Sequence, residues 1–323
     1  MRGRKSVPLD HYVSQVHLKK FYSPKLGNRM YAIRKQDLST FTTKSEAVCR
    51  TESGSTNPYL QSERAIEEFL KRIEPKYNSA ILKLASGQID RESIYVIAGF
   101  VAYVNTCSPA SMRIKSEYLK GVVEEFTKMA DRQGIFPVPP PELAGEYLTD
   151  LIMSGKVNVE IDQKYPQAIG ISSILKHTSL LGNFWWEILI NPYDDSPFFT
   201  SDFPVVVEEA SDPHIRNRVI PLSPNLAVRI QPDPTVQGKH TDFKFSNFRY
   251  RITRLSRAKV TNINRLIIRC AESVVFYRDD HPWIPAFVKK NAGFRIESSM
   301  QKIPTEDSGT YIWVSEDIVE TKW

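Results

Sequence analysis

One stretch, Phe198-Phe199-Thr200-Ser201-Asp202-Phe203-Pro204-Val205-Val206-Val207, sets a polar tripeptide between two apolar runs. The β-forming residues after Phe203, broken only by Pro204, predict a strand with the tripeptide at its entry. Ser201 and Asp202 can bond their own backbone there and close a tight turn. The same arrangement presents a carboxylate and two hydroxyls at a rigid edge, where catalytic groups are often found. The stretch therefore indicates either a capped turn or a catalytic edge.

From Pro192 onward the sequence predicts β-structure around this stretch. The predicted strands are separated by turn residues and comprise Phe198–Phe199, Pro204–Val207, Arg218–Leu222, Leu226–Gln231, Leu266–Arg269, Glu272–Tyr277 and an edge strand at Tyr311–Val314. One helix is expected among them, from Ser256 to Ile267.

Upstream of the stretch the chain is mainly helical in pattern. Apolar residues at helical spacing predict helices within Leu60–Arg132, at Glu142–Gly155 and at Ile169–Ile190, with Val157–Ile161 as a short strand. The proline-rich connection Gln133–Pro141 is the clearest internal break. We predict a single α+β domain over residues 1–323. Its helical subregion, about 60–190, is expected to pack on a mainly antiparallel, β-rich subregion at about 192–323.

The composition is that of a soluble globular protein with a mild basic excess. Of 323 residues 41% are hydrophobic and 25% charged, and 43 Lys and Arg against 37 Asp and Glu give a formal charge of +6. This charge permits a polyanionic partner such as RNA or DNA without requiring one. Three scattered cysteines support neither a disulfide framework nor a zinc site, and they are typical of a reducing cytoplasm. No stretch approaches ~18–20 uninterrupted apolar residues, so no membrane contact is expected.

Near the N-terminus a short helix is predicted to start at Asp10, which can cap it. His11, Gln15 and Leu18 then fall at positions i, i+4 and i+7 and share one face. Two polar side chains are thus stacked on a face that should otherwise pack inward.

The opening His11-Tyr12-Val13-Ser14-Gln15, with Leu18 and Phe21 following, resembles the opening of the domain of unknown function 4238 family of bacterial and fungal proteins. Two later segments add to the resemblance, which spans most of the chain: Thr200–Val205, and Val260–Asn264 ahead of an apolar run. Ser14 departs from the pattern, because a proline is common there. The resemblance brings no established reaction with it, but it implies recurring polar positions at His11, Gln15, Ser201, Asp202 and Asn264.

The sequence lacks the motifs of common enzyme classes. No phosphate-binding glycine loop, GxSxG elbow, HExxH or dinucleotide fingerprint is present, and no PD-(D/E)xK signature is legible. Glu67 and Glu74 are seven residues apart and share a helix face, but their spacing matches no metal-ligand box, so a solvated face is expected and no metal is predicted. No cofactor or oligomeric state is predicted either.

The dispersed polar residues leave two interpretations open. We expect His11, Gln15 and Asp202 to come together in space, because polar groups stranded in apolar stretches need partners. With Ser201 and Asn264 they would supply a base, an orienting carboxylate and a hydroxyl for catalysis. The alternative is a buried hydrogen-bond network that ties the N-terminal helix to the sheet. Arg113 is expected to face a partner or site, because a cation in the first turns of a helix opposes the helix dipole.

The sharpest charge feature is a run of seven cations in the 21 residues from Arg249 to Arg269, with no acid among them. Guanidinium forks and interleaved aromatic rings suit phosphate backbones and unstacked bases. The residues expected to contact nucleic acid are Arg249, Arg251, Arg254, Arg257 and Arg265. The alternative is a solvated face paired with acids from elsewhere in the chain.

Together these features predict a cytoplasmic hydrolase that cleaves phosphodiester bonds in nucleic acid. The alternative is a non-enzymatic module that binds RNA, DNA or an acidic protein through the basic run. Both are compatible with a role in bacterial defence against phage or as a toxin.

Overall fold

The computed structural model describes residues 7–137, 139–143, 145–236, 238, 240–304 and 310–321. The helices within these ranges are α1 (Gln15–Leu18), α2 (Ala65–Ile73), α3 (Tyr77–Ser86), α4 (Arg91–Cys107), α5 (Pro109–Arg132), α6 (Leu148–Met153), α7 (Lys164–Ser172), α8 (Ile174–Asn183), α9 (Arg257–Cys270) and α10 (Ile284–Asn291). The strands are β1 (Leu9–His11), β2 (Met30–Arg34), β3 (Thr40–Thr43), β4 (Arg50–Glu52), β5 (Trp185–Ile190), β6 (Thr200–Ser201), β7 (Val206–Glu209), β8 (Arg216–Ser223), β9 (Leu226–Gln231), β10 (Arg249–Arg254), β11 (Val274–Tyr277), β12 (Phe294–Pro304) and β13 (Thr310–Glu320).

Helix α4 forms the centre of the helical part. Asp90 caps it by accepting from the backbone N–H of Ser93, whose side chain in turn accepts from the N–H of Asp90. Ser108 then ends α4 and caps α5, which begins at Pro109, a position where the missing N–H of proline costs nothing. Within the described ranges no single helix is long and apolar enough to cross a membrane. Helices α4 and α5, which meet at a bend of 61°, reach the required length and apolar composition only when taken together.

The larger sheet has five strands in the order β10-β5-β9-β8-β7. Its pairs are antiparallel except for β10, which runs parallel to β5 at the sheet's edge. Trp186 and Ile188 of β5 are fully buried on one face. Glu187, between them on the opposite face, is also buried and is held by polar partners on neighbouring strands.

A four-stranded sheet in the order β3-β2-β11-β6 pairs strands from early and late in the sequence. Ile33 of β2 and Ser201 of β6 are both register partners of Val275 in β11. The stretch 198–207 therefore leaves this sheet after β6 and enters the larger sheet at β7. A single cluster of buried apolar side chains extends from Val13 to Ile296.

The α+β class is confirmed, and the helices α2 to α8 lie where a helical subregion is predicted. Four strands precede that subregion, however, and α9 and α10 interrupt the β-rich part. The hairpin of β12 and β13 includes the predicted edge strand at Tyr311–Val314. The single-domain organisation stays a prediction, and the connection Gln133–Pro141 lies partly outside the described residues.

Several predicted boundaries are wrong for identifiable reasons. The predicted helix Ile169–Ile190 is two helices followed by β5, because the run Trp185–Ile190 is aromatic and β-branched and finds strand partners on both sides. The N-terminal helix begins at Gln15 rather than Asp10, since Leu9–His11 pair with β4. Val157–Ile161 forms no strand, and only Thr200–Ser201 pair near the predicted strand Phe198–Phe199.

Candidate functional site

His11 and Gln15 line a cavity of about 240 Å³ at the N-terminal end of the fold. The cavity lies between β1, α1 and α2, and its lining residues are Leu9, Asp10, His11, Gln15, Val16, Ser55, Glu67, Leu70 and Glu74. Glu67 and Glu74 therefore face a cavity, where the sequence indicated a solvated face.

Two hydrogen bonds fix His11 at the end of β1. The hydroxyl of Tyr103, on α4, donates to the His11 backbone carbonyl. The imidazole Nε2 lies 3.2 Å from the backbone carbonyl oxygen of Ser45. Because a carbonyl oxygen can only accept, Nε2 carries the proton and Nδ1 holds a free lone pair. The backbone of Glu46 also contacts the ring, in the direction that raises its pKa.

Burial favours the neutral form of the His11 imidazole. Burial of the half-buried ring lowers its pKa from the ordinary value of 6.5, and the charge of Arg50 lowers it further. The backbone groups of Ser45 and Glu46 and the Glu74 carboxylate act in the opposite direction without reversing the shift. A neutral imidazole with an unprotonated Nδ1 is a competent general base near pH 7.

The other polar groups of the cavity have partners of their own. Gln15 accepts a hydrogen bond from the Ser45 hydroxyl at 3.3 Å, and Glu74 accepts one from Ser14 at 2.5 Å. Arg64 forms ion pairs with both Asp10 and Glu67. Burial raises the pKa of Asp10, but its hydrogen bonds with Arg64 and the Ser55 N–H outweigh burial and lower that pKa overall.

Asp202 is buried in the turn that follows β6, against the start of β11. Its carboxylate accepts hydrogen bonds from the backbone N–H groups of Glu272, Ser273 and Val274 at 2.9, 2.7 and 3.1 Å. Burial raises the pKa of Asp202 to about 6, against the opposing effects of these N–H groups and of Lys35. Ser201, also buried, accepts from the N–H of Phe203 at 3.1 Å. Both side chains thus do what the capped-turn interpretation describes.

Asn264 connects α9 to the start of the stretch 198–207. Its side-chain oxygen accepts from the Phe199 N–H at 3.0 Å, and its amide donates to the Pro197 carbonyl at 2.9 Å. Of the five predicted site residues, His11 and Gln15 share the first cavity, whereas Ser201, Asp202 and Asn264 are not among its lining residues. No hydrogen bond joins His11 to Asp202 in the part of the chain that the structure describes. The catalytic roles assigned to all five stay predictions.

His17 was missed at the sequence level although it is fully buried. Its Nδ1 lies 2.8 Å from the Tyr77 hydroxyl and its Nε2 2.8 Å from the Thr200 hydroxyl, so it links α1, α3 and β6. Burial lowers the pKa of His17 to about 3. The only available signal was its position beside Leu18 in an apolar stretch.

The basic run finds its acids elsewhere in the chain. Arg251 pairs with Glu187 at 2.8 Å and stacks 4.6 Å from the ring centroid of Trp185. Arg257 pairs with Asp195 at 2.9 Å.

The remaining predicted nucleic-acid contacts differ in their partners. Arg265 donates to the side chain of Asn262 at 3.0 Å. Arg249 and Arg254 are exposed on β10, and within the described ranges neither forms a side-chain hydrogen bond or ion pair.

Arg113, on α5, has acidic partners within the fold. It forms ion pairs with both Glu272 and Glu297, the latter on β12.

No group of three or more His, Cys, Asp or Glu side chains in the described part of the chain is arranged to hold a metal ion. Cys49, Cys107 and Cys270 are free and buried.

The fold and the cavity define an α+β protein with a neutral histidine in a polar cleft and no recognisable enzyme motif. The model of the family described as "Protein of unknown function (DUF4238)" matches residues 10–281, and the chain belongs to that family. Comparison with curated proteins and with solved structures gave no match.

Proposed function

We propose that the protein is a hydrolase of nucleic acid that uses His11 as a general base. The observation that carries the proposal is the Ser45 carbonyl at Nε2 of His11, because it leaves Nδ1 unprotonated in a cavity of about 240 Å³. The lowered pKa of His11 keeps this state populated at neutral pH. Nδ1 takes the proton of an attacking hydroxyl or water, the nucleophile bonds to phosphorus, and the P–O bond to the leaving group breaks. The proton then returns from His11 to the departing oxygen.

Two features support nucleic acid as the substrate class. Arg249 and Arg254 are exposed cations on an edge strand, and Tyr250 between them is 41% exposed and stacks on Phe248. Cations and an accessible aromatic ring together suit a single strand with unstacked bases.

The position of this strand relative to the cavity supports the same substrate. The Tyr250 hydroxyl donates to the Gly87 carbonyl at the C-terminal end of α3, whereas Glu74 of the cavity lies in the turn before α3. The ten residues of α3 alone span about 15 Å between them.

The carboxylates of the cavity disfavour a bare phosphate, so cations must offset its charge. Two cations act on residues of the cavity: the charge of Arg50 acts on His11, and Arg64 pairs with Asp10 and Glu67. We therefore expect Arg50 to contribute to substrate affinity as well as to the pKa of His11.

The test compares His11→Asn with His240→Asn, a matched control at an exposed histidine. Single-stranded RNA and DNA substrates are incubated with each protein and the products are separated by size. We expect His11→Asn to lose cleavage while its melting temperature stays within a few degrees of wild type, and His240→Asn to keep both. Unchanged cleavage in His11→Asn, or no cleavage by the wild type, overturns the proposal.

A second candidate is a non-enzymatic module that binds RNA, DNA or an acidic protein through β10. The exposed Arg249 and Arg254 favour it, because neither forms an ion pair among the described residues and binding requires no catalytic group. Binding without cleavage in the same experiment distinguishes it from the hydrolase. Either activity would suit a role in phage defence or as a toxin, and the three free cysteines support a reducing cytoplasm as the proposed location.

A further inference from the structure

Helix α5 carries an apolar face that the described part of the chain leaves largely uncovered. Its residues recur at alternating spacings of three and four, as at the a and d positions of a coiled coil, and they are Leu119, Val122, Phe126 and Met129. Phe126 is 54% exposed and Met129 46%, whereas Thr127 and Ala130 in the same turns are buried. The α5 face therefore has the sequence pattern of a helix–helix contact, on the side of the helix that points away from the fold.

The protein core does not account for this pattern. The contiguous core includes Ala110 and Ile114 of α5, but among the described residues nothing further along this helix belongs to it or packs against it as a partly buried apolar side chain. Tyr118 and Val123, which are 37% and 41% exposed, widen the α5 face on its two sides. Apolar patches that extend over several neighbouring side chains mark interaction surfaces more often than isolated exposed residues do. We therefore expect a partner to cover this face in solution.

The charges of α5 favour a second copy of the chain as that partner. Residues 117–132 contain four acidic and three basic side chains, so the helix is nearly neutral and carries both signs. A helix that binds anionic lipid or a phosphate backbone needs an excess of Lys and Arg, which α5 lacks. A surface with both signs in near balance does not repel an identical surface.

An antiparallel pairing makes the α5 face complementary to itself. In a dimer with two-fold symmetry, each contact between two different positions occurs twice. The register that sets Leu119 against the partner's Met129 also sets Val122 against the partner's Phe126. Two kinds of contact thus give four layers, and each layer joins a smaller side chain to a larger one, which suits close packing of the seam.

The residues beside the seam fit the same register. On one side Tyr118 lies near the partner's Arg132, where a guanidinium can stack on the aromatic ring. The two copies of Glu125 also approach each other on that side, and the ion pair of Glu125 with Lys128, at 2.8 Å, offsets their repulsion. On the other side Val123 lies near the partner's Val123, which extends the apolar contact.

We propose that the protein forms a homodimer in which the α5 helices of two copies pack antiparallel through Leu119, Val122, Phe126 and Met129. A contact over about three helical turns is smaller than the standard interface of ~1,600 Å², so the dimer is expected to be a weak one that dissociates at micromolar concentration. The inference goes beyond the proposed hydrolase and does not depend on it, because no residue of α5 lines the cavity of His11.

Sedimentation velocity of the full chain, from low to high micromolar concentration, measures the self-association. We expect wild type to pass from monomer to dimer over this range. Phe126→Glu should weaken dimerisation about tenfold or more and leave the melting temperature unchanged, because the side chain is central to the seam but exposed in the monomer. Leu82→Glu, at an exposed leucine of α3, is the matched control and should dimerise as wild type. A monomer at every concentration, or an equally strong dimer in Phe126→Glu, overturns the proposal.

Two further measurements test the orientation and the kind of partner. Val123→Cys should form an intermolecular disulfide under mild oxidation, because the antiparallel register brings the two residues 123 together, whereas a parallel pair sets them on opposite sides. Wild type should not cross-link, since Cys49, Cys107 and Cys270 are buried. A dimer that fails to cross-link through residue 123 overturns the antiparallel register.

Flotation with vesicles of anionic phospholipid tests a lipid surface as the alternative occupant. We expect no binding, and vesicle binding that Phe126→Glu abolishes would assign the α5 face to lipid and overturn the proposal. His11→Asn should dimerise as wild type, so that failure of the dimer and failure of the proposed hydrolase are separate results.

Discussion

The carboxylate of Asp202 accepts a hydrogen bond from the backbone N–H of Ser273 at 2.7 Å, 71 residues further along the chain. The same oxygen also accepts from Val274, and the other accepts from Glu272. This contact fixes the junction of β6 and β11, where the smaller sheet receives its last strand. The Asp202 carboxylate is thus a buried acceptor for three consecutive backbone N–H groups.

Asp202→Asn is expected to destabilise the fold. An amide would turn its NH₂ toward backbone donors or leave them unpaired, and orphaned buried N–H groups cost about 1–3 kcal/mol in the free energy of unfolding. Urea unfolding followed by circular dichroism measures the change. Asp233→Asn is the control, because Asp233 accepts comparable short-range bonds in an exposed turn and should leave stability unchanged. A fully stable Asp202→Asn variant that has lost activity would instead restore a catalytic role.

His17 is expected to make stability depend on pH. Because burial lowers its pKa to about 3 from the ordinary 6.5, the unfolded chain binds more protons between these values. The free energy of unfolding therefore falls as pH drops below about 6.5, with a limiting slope of about 1.4 kcal/mol per pH unit. His17→Gln, which keeps a donor and an acceptor for Tyr77 and Thr200, should remove this contribution.

The measurement is the difference in unfolding free energy between wild type and His17→Gln from pH 7 to 4.5. Asp202, whose raised pKa gives stability that is lost as pH rises through about 6, acts with the opposite sign but cancels in the difference. We expect the advantage of wild type to shrink steadily as the pH falls. A constant difference would show that folding does not shift the pKa of His17.

The pKa of His11 should respond to its charged neighbours in opposite directions. Arg50→Gln removes a charge that lowers this pKa and should raise it, whereas Glu74→Gln removes one that raises it and should lower it further. Proton NMR titration of the six histidines, with His11→Asn to assign the signal, measures both shifts without a substrate. Movement of the pKa in the same direction in both variants would contradict this electrostatic arrangement.

The two classes of arginine on β10 should behave differently when changed. Arg249→Glu with Arg254→Glu should weaken binding of single-stranded RNA alike across sequences and flatten its salt dependence, because phosphate contacts release counterions and carry no base code. Stability should not change, since both side chains are exposed. Arg251→Gln should instead lower the melting temperature, because buried Glu187 loses an ion-pair partner. RNA titrations at low and physiological salt measure the effect of the double variant, and thermal melts measure the effect of Arg251→Gln. Unchanged RNA binding in the double variant would exclude β10 as the contact surface.

The sequence was sufficient for elements whose pattern is local. Helix α4 and the position of β7 follow from local pattern, but the predicted strand Leu266–Arg269 is wrong, because these residues continue α9 to Cys270. The run Trp185–Ile190 was misassigned as helix because a short apolar run fits either structure until its neighbours are known. Its strand state depends on β9 and β10, which lie 36 or more residues away in sequence.

The site could be predicted only in part for the same reason. His11 and Gln15 share a cavity because they are close in sequence, but the bonds of Asp202 and Asn264 depend on backbone groups 65–72 residues away. No acidic residue lies near Arg251 and Arg257 in the sequence, but Glu187 and Asp195, from segments distant in sequence, pair with them in the fold. Composition along one stretch gives no information on such pairs.

The pairing of β2 with β11 places residues 30–34 beside residues 274–277. During synthesis, strand β2 must therefore wait for about 240 further residues, or roughly 10–50 s at ordinary translation rates, before its partner leaves the ribosome. Until then β2 and β3 present an unpaired edge that other chains could join. The nascent protein is consequently exposed to misassembly for most of its synthesis, and its yield in cells should depend on the chaperones that cover such edges.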